Sequence, residues 1–183
     1  MQDNGAIWVF GYGSLVWQPG FAYASRHIAR LNGYERSFCM RSIHHRGTPD
    51  APGLVLALDA GEGGCDGVAF EVPAPIADET LEYLRARELI SAAYLETRQT
   101  IALEHGPQVE AVAYVIDREH DQYCGGMTLE DQARIIARAV GGRGPNAAYL
   151  FNTAAHLADL GLRDPQLDWL AARVREILSA GQM

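Results

Sequence analysis

The chain contains no lysine: all 15 of its cationic side chains, among 183 residues, are arginines. A Schiff-base lysine, a Walker-type phosphate lysine and a catalytic Ser-Lys pair are therefore excluded. Cysteine is scarce as well. Cys39, Cys65 and Cys124 form an odd, scattered set with no Cys-x-x-Cys pair. That pattern argues against a disulfide framework and a structural zinc site, and for a reducing cytoplasm. No stretch approaches the roughly 20 uncharged apolar residues of a membrane-spanning helix. Met1-Gln2-Asp3-Asn4 also lacks the basic start and apolar run of a secretory leader, so no membrane association is expected. Positive charge is in the minority, with 15 basic against 23 acidic residues and a formal net charge of −8. Such a surface repels phosphate backbones, so nucleic acid is not an expected partner.

What is present suffices for one globular domain over residues 1–183: 48% of the residues are hydrophobic, with 19 Gly and 8 Pro as punctuation. The apolar run Ala6-Ile7-Trp8-Val9-Phe10 reads as a buried strand ending at Gly11-Tyr12-Gly13-Ser14. Further strands are expected near 26–38, 53–59, 65–72, 94–103 and 109–117, with polar loops around 42–52 and 60–64. A helix over 76–88 follows Pro73-Ala74-Pro75 and carries Asp78 and Glu79 in its first turn. Thr128 with Asp131 three residues on has the spacing of a helix cap, Pro145 suits the start of a second helix, and Asp164-Pro165 that of a third. Strands to about 117 and helices over about 128–180, without regular β-α-β alternation, predict an α+β fold.

Several segments carry possible chemistry. Gly11-Tyr12-Gly13 after a strand invites a dinucleotide reading, but Val16 replaces the third glycine and Pro19-Gly20 interrupts the required helix. A tight turn, or a concavity of successive backbone N–H groups for a carboxylate or oxyanion, fits better. Ser14 lacks the glycines that a nucleophile elbow would need, since Tyr12 and Val16 stand in their places. On the 76–88 helix, with Leu84 set at about 0°, Ala77 falls near 20°, Glu88 near 40° and Leu81 near 60°. Glu88 thus lies within the apolar stripe. Burial there raises a carboxyl pKa towards neutrality, although the periodicity alone fits a simple pairing with arginine equally well. His44 and His45, adjacent on an extended segment, point to opposite sides and make a poor metal pair. Arg46 offers positive charge to an anionic ligand or is a solvated loop cation.

Taken in order, these residues resemble the ChaC-type γ-glutamylcyclotransferases. The resemblance rests on Val9-Phe10-Gly11-Tyr12-Gly13-Ser14-Leu15-Val16-Trp17, His45-Arg46-Gly47-Thr48-Pro49 and Gly67-Val68-Ala69-Phe70. It continues through Arg87-Glu88 with Tyr94 six residues later, and Gly144-Pro145-Asn146 with Tyr149-Leu150. It implies a small, mostly antiparallel β-barrel with flanking helices, and cleavage of glutathione to 5-oxoproline and cysteinylglycine without metal or organic cofactor; the alternatives on the same fold are a cyclotransferase for other γ-glutamyl amines or amino acids and a non-catalytic ligand-binding module. It further implies Glu88 as the catalytic acid and base, with Tyr12, Gly13, Ser14 and Leu15 holding the γ-glutamyl moiety and Arg46 and Tyr94 as further substrate-binding residues. The chain departs from the family pattern at Ala92-Ala93, where a glycine is common; a positive φ there would strain alanine.

Overall fold

The structure, a computed structural model, describes residues 5–89, 92–162 and 164–182. Two compact units divide the chain, one formed by residues up to Arg36 with Leu58–Asp121, the other by Ser37–Ala57 with the residues from Gln122 on. Five strands close into a barrel in the order β1-β3-β2-β4-β5. They are β1 (Ile7–Gly11), β2 (Ser25–Ser42), β3 (Gly53–Val72), β4 (Tyr94–Leu103) and β5 (Gln108–Ile116). The α+β reading and the barrel are both correct.

β1 is central to the first unit because it is apolar on both faces. It runs antiparallel to β3, with Ile7 opposite Val72 and Gly11 opposite Val68, and parallel to β5, with Trp8 opposite Ala111. β4 pairs antiparallel with both β2 and β5. Val9, Phe10, Phe70, Ile101 and Val112 have no solvent exposure, and Leu84 of helix α1 (Ala74–Glu88) joins them. α1 begins two residues earlier than the sequence reading had it, with Pro75 inside its first turn, where a missing N–H is harmless; Asp78 and Glu79 lie beyond that turn.

The loop expected at 60–64 is absent, because β3 continues straight through it as part of a 20-residue strand. Its glycines provide space rather than a turn. A Cβ on Gly61 or Gly63 would meet the Glu35 carboxylate, and one on Gly64 the Arg30 guanidinium, both reaching over from β2.

The second unit comprises α2 (Leu129–Arg138), the two-residue strands β6 (Val140–Gly141) and β7 (Gly144–Pro145), α3 (Asn146–Asp159) and α4 (Pro165–Ala180), together with the end of β2 and the start of β3. Both anticipated caps form: the Thr128 hydroxyl accepts from Asp131 N–H and the Asp164 carboxylate from Leu167 N–H, each at 3.1 Å. Phe38, Ile136, Leu150, Leu157 and Val174 make its core. Asn146, wholly buried, pairs with both backbone groups of Leu54 at 2.8 Å, donating from Nδ2 and accepting at Oδ1. A Cβ on Gly47 would run into Gly53 N, and one on Gly141 into the amides of Arg46 and Gly47, so three glycines bring these backbones together. The Gly144-Pro145-Asn146 motif is thus a hairpin leading to a buried amide clamp. Among the described residues no helix is long and apolar enough to cross a membrane.

Candidate active site

β1 delivers the chain at Gly11 into a tight loop, and a single 3-10 turn, Ser14–Val16, follows. Val16 N–H donates to Gly13 C=O at 3.0 Å and Gln18 N–H to Ser14 C=O at 2.8 Å, which closes the turn. Arg36 Nε donates to Tyr12 C=O at 2.7 Å and pins the loop from β2. A Cβ on Gly67 would strike the Gly11 carbonyl, so the glycine in Gly67-Val68-Ala69-Phe70 is what lets β3 lie against the loop's root. The first N–H groups of such a turn have no acceptor within it, and among the described residues those of Gly13, Ser14 and Leu15 donate no hydrogen bond. Successive N–H groups without an acceptor are what an oxyanion or carboxylate requires.

α1 buries Ala77, Leu81 and Leu84, and the stripe they define ends at Glu88. The Glu88 side chain is only 17% exposed. Burial pushes its carboxyl above the ordinary carboxylate range, and the neighbouring Arg87 charge opposes that rise only in part. Geometry explains why the opposition is partial. Arg87 Nε lies 3.4 Å from Glu88 Oε1, but its other donors are engaged elsewhere. Nη2 donates to Ser14 Oγ at 3.0 Å, while Nη1 faces Gln18 C=O, Pro19 C=O and the Tyr83 hydroxyl. Arg87 therefore joins the acid to the glycine loop. Gly20, at φ +76°, makes room for the Tyr83 ring; a Cβ there would collide with its hydroxyl.

Tyr94 is the first residue of β4, opposite Ile116, and two residues on Glu96 stands opposite Tyr114. Strand alternation puts Tyr94, Glu96 and Tyr114 on one face of the sheet. Ala92, two residues ahead of Tyr94, has φ +56°, the left-handed conformation that its alanine side chain disfavours. Tyr12, Gly13, Ser14, Leu15, Glu88 and Tyr94 all belong to the first unit, whereas Arg46 belongs to the second. There Arg46 donates to Pro145 C=O at 3.1 Å and stacks over the Tyr149 ring at 5.6 Å. Partial burial and the nearby Arg143 lower its proton affinity, and no carboxylate pairs with it among the described residues. No group of three or more His, Cys, Asp or Glu side chains converges as a metal would require among the described residues.

Four residues of this region escaped sequence reasoning. Arg87 was seen only as part of a motif, and Arg85, Glu96 and Tyr114 were not singled out. Arg85 grips Glu96 with two donors, Nε to Oε2 at 2.8 Å and Nη2 to Oε1 at 2.9 Å, and Tyr114 OH donates to Glu96 Oε2 at 3.2 Å. Only strand register shows these partners.

A family model described as ChaC-like protein matches residues 7–177. The chain belongs to this family. It is 37% identical to the glutathione-specific gamma-glutamylcyclotransferase of Escherichia coli (strain K12), over 97% of this chain and 76% of that one. It is 36% identical to gamma-glutamylcyclotransferase 2-3 of Arabidopsis thaliana, over 97% of this chain and 92% of the relative. The crystal structure of a yeast gamma glutamyl cyclotransferase specific to glutathione is similar in fold, with a TM-score of 0.83 and 25% sequence identity, covering 94% of this chain and 99% of that one.

Proposed function

We propose that this ChaC-like chain is a γ-glutamylcyclotransferase that converts glutathione to 5-oxoproline and cysteinylglycine, with Glu88 as its acid and base. One observation carries the assignment of Glu88: a carboxyl of raised proton affinity, buried at the end of an apolar helix face, tied through Arg87 to a loop of free N–H donors. The reaction needs no enzyme nucleophile and no lysine, because the attacking group is the substrate's own α-amine. Glu88 takes a proton from the α-ammonium. The freed amine attacks the γ-carbonyl carbon and closes a five-membered ring, with the oxyanion facing the N–H groups of Gly13, Ser14 and Leu15. Glu88 then returns the proton to the cysteinyl nitrogen as its bond to the γ-carbon breaks, takes the second proton from the new ring nitrogen, and passes it to the departing amine, which leaves as an ammonium. The proton balance closes without water.

Tethering makes the attack intramolecular, so most of the enzyme's task is to hold one conformer, an effect that reaches many powers of ten when geometry is right. Tyr12, Tyr94 and the loop amides hold the γ-glutamyl part. Three free cysteines fit a reducing cytoplasm as the place of work.

The purified protein incubated with glutathione is expected to release 5-oxoproline and cysteinylglycine in equal amounts, at a rate that a chelator leaves unchanged. Release from other γ-glutamyl amino acids or amines but not from glutathione would overturn the substrate. Release of neither product from any γ-glutamyl compound would overturn the activity.

A further inference from the structure

Tyr114 is among the largest fully buried side chains of the molecule, at 2% exposure. A chain of neighbours on α1, β4 and β5 connects it to Glu88. Arg85 and Glu88 are three residues apart on α1 and so neighbours on its surface. Arg85 forks onto Glu96 of β4, and Glu96 stands opposite Tyr114 of β5 in the ladder. The phenol also senses the charges of Glu96, Arg85 and Glu88; burial and the carboxylates hold its proton in place at any working pH.

The hydrogen-bond inventory of this hydroxyl is unbalanced. A phenol has one O–H to give and lone pairs with which to accept. The O–H goes to Glu96, which the Arg85 fork keeps ionised and therefore purely an acceptor. Among the described residues no donor reaches the Tyr114 oxygen. A buried acceptor without a donor, in the unit that carries Glu88, calls for a ligand that brings its own N–H. The α-ammonium of a γ-glutamyl group has three N–H bonds. The first to be given up faces Glu88, which leaves two others to be fixed before the attack.

We propose that the Tyr114 hydroxyl oxygen accepts a hydrogen bond from the substrate's α-ammonium, and that Glu96 and Arg85 are positioning residues that keep its O–H turned away so that the lone pairs face the amine. The inference rests on the γ-glutamyl reading of the site and deepens it. It explains how the attacking nitrogen is aimed at the γ-carbon while Glu88 removes its proton.

The test compares two ligands in a Glu88→Gln background, where turnover does not interfere: glutathione, and its glutaryl analogue, which lacks only the α-amino group. Calorimetry is expected to show that Tyr114→Phe weakens glutathione about tenfold, as loss of one hydrogen bond to a charged group does, while the analogue's affinity stays within twofold. Glu96→Gln, whose amide donates to the Tyr114 oxygen and turns the O–H towards the ligand, is expected to give a similar glutathione-specific loss, and to add little once Tyr114 is Phe. Equal weakening of both ligands, or of neither, overturns the proposal. If neither ligand binds the Glu88→Gln protein and the wild type releases no 5-oxoproline, the γ-glutamyl reading itself has failed, an outcome distinct from either.

Discussion

Each unit sets a carboxylate beside an arginine, and the two units use the pair in opposite ways. In the second unit Arg173 of α4 forks onto Glu130 of α2 with two contacts of 2.8 Å, and Arg134 adds a third at 3.2 Å. These bonds pull the Glu130 carboxyl down to about 2, so it is a fixed charge under all ordinary conditions. In the first unit Arg87 comes no closer than 3.4 Å to Glu88 and directs its remaining N–H groups to Ser14, Gln18, Pro19 and Tyr83. Glu88 is buried and its proton affinity rises. The presence of an arginine therefore does not decide whether a glutamate holds a helix pair together or carries protons. What decides is where the guanidinium's donors go and whether water reaches the carboxyl.

The comparison breaks most visibly at Glu88. Glu88→Gln is expected to lower kcat for 5-oxoproline release by roughly 10²–10⁴-fold while leaving glutathione binding measurable. Stability moves the other way. A carboxyl whose folded pKa lies above its unfolded value loses folding free energy as pH rises from the unfolded value through the folded one. The variant lacks that loss, so urea melts should show it gaining stability relative to wild type between acidic and neutral pH.

Arg87→Met comes next. Removing the one charge that restrains Glu88 raises its pKa further, so the acidic limb of kcat/KM should move to higher pH. Freeing Ser14 and the loop should cost up to roughly a hundredfold in rate. An unmoved limb would mean that Arg87 serves the loop alone.

In the second unit the effects should fall on stability. Asn146→Ala orphans the buried N–H and C=O of Leu54 and is expected to cost about 2–5 kcal/mol by denaturant titration. Arg173→Met should remove most of the acid dependence that Glu130 supplies, leaving the smaller share due to Arg134. That stabilisation is complete above the unfolded carboxylate value and fades as pH falls towards about 2. Turnover at neutral pH should not change. Smallest of all, Ala92→Gly relieves a left-handed alanine and is expected to stabilise by about 0.5–1 kcal/mol.

The features that were legible in the sequence are those that local chemistry dictates. Thr128 and Asp164 cap their helices because the acceptor and the N–H it meets are three residues apart. Glu88 lies on the buried face because helical periodicity links it to Leu84, and the turn after β1 follows from Gly11 and Gly13 behind an apolar run. Glycine at 61, 63 and 64 misled because its role depends on side chains arriving from β2, about 30 residues earlier in the chain. Glu96 and Tyr114 were illegible for the same reason: each is an ordinary strand residue until register sets them opposite one another and Arg85 closes the triad. Ala92 shows the intermediate case, where the strain was foreseeable only on the condition of a positive φ, which the backbone does adopt.

The path of the two longest strands has one more consequence. β2 passes from the first unit into the second at Arg36–Ser37, and β3 returns at Ala57–Leu58. Neither unit is thus one continuous piece of polypeptide. No single proteolytic nick can liberate either of them intact, and neither could be traded between genes by a simple cut and paste. Glu88 and Glu130 are inherited as a set.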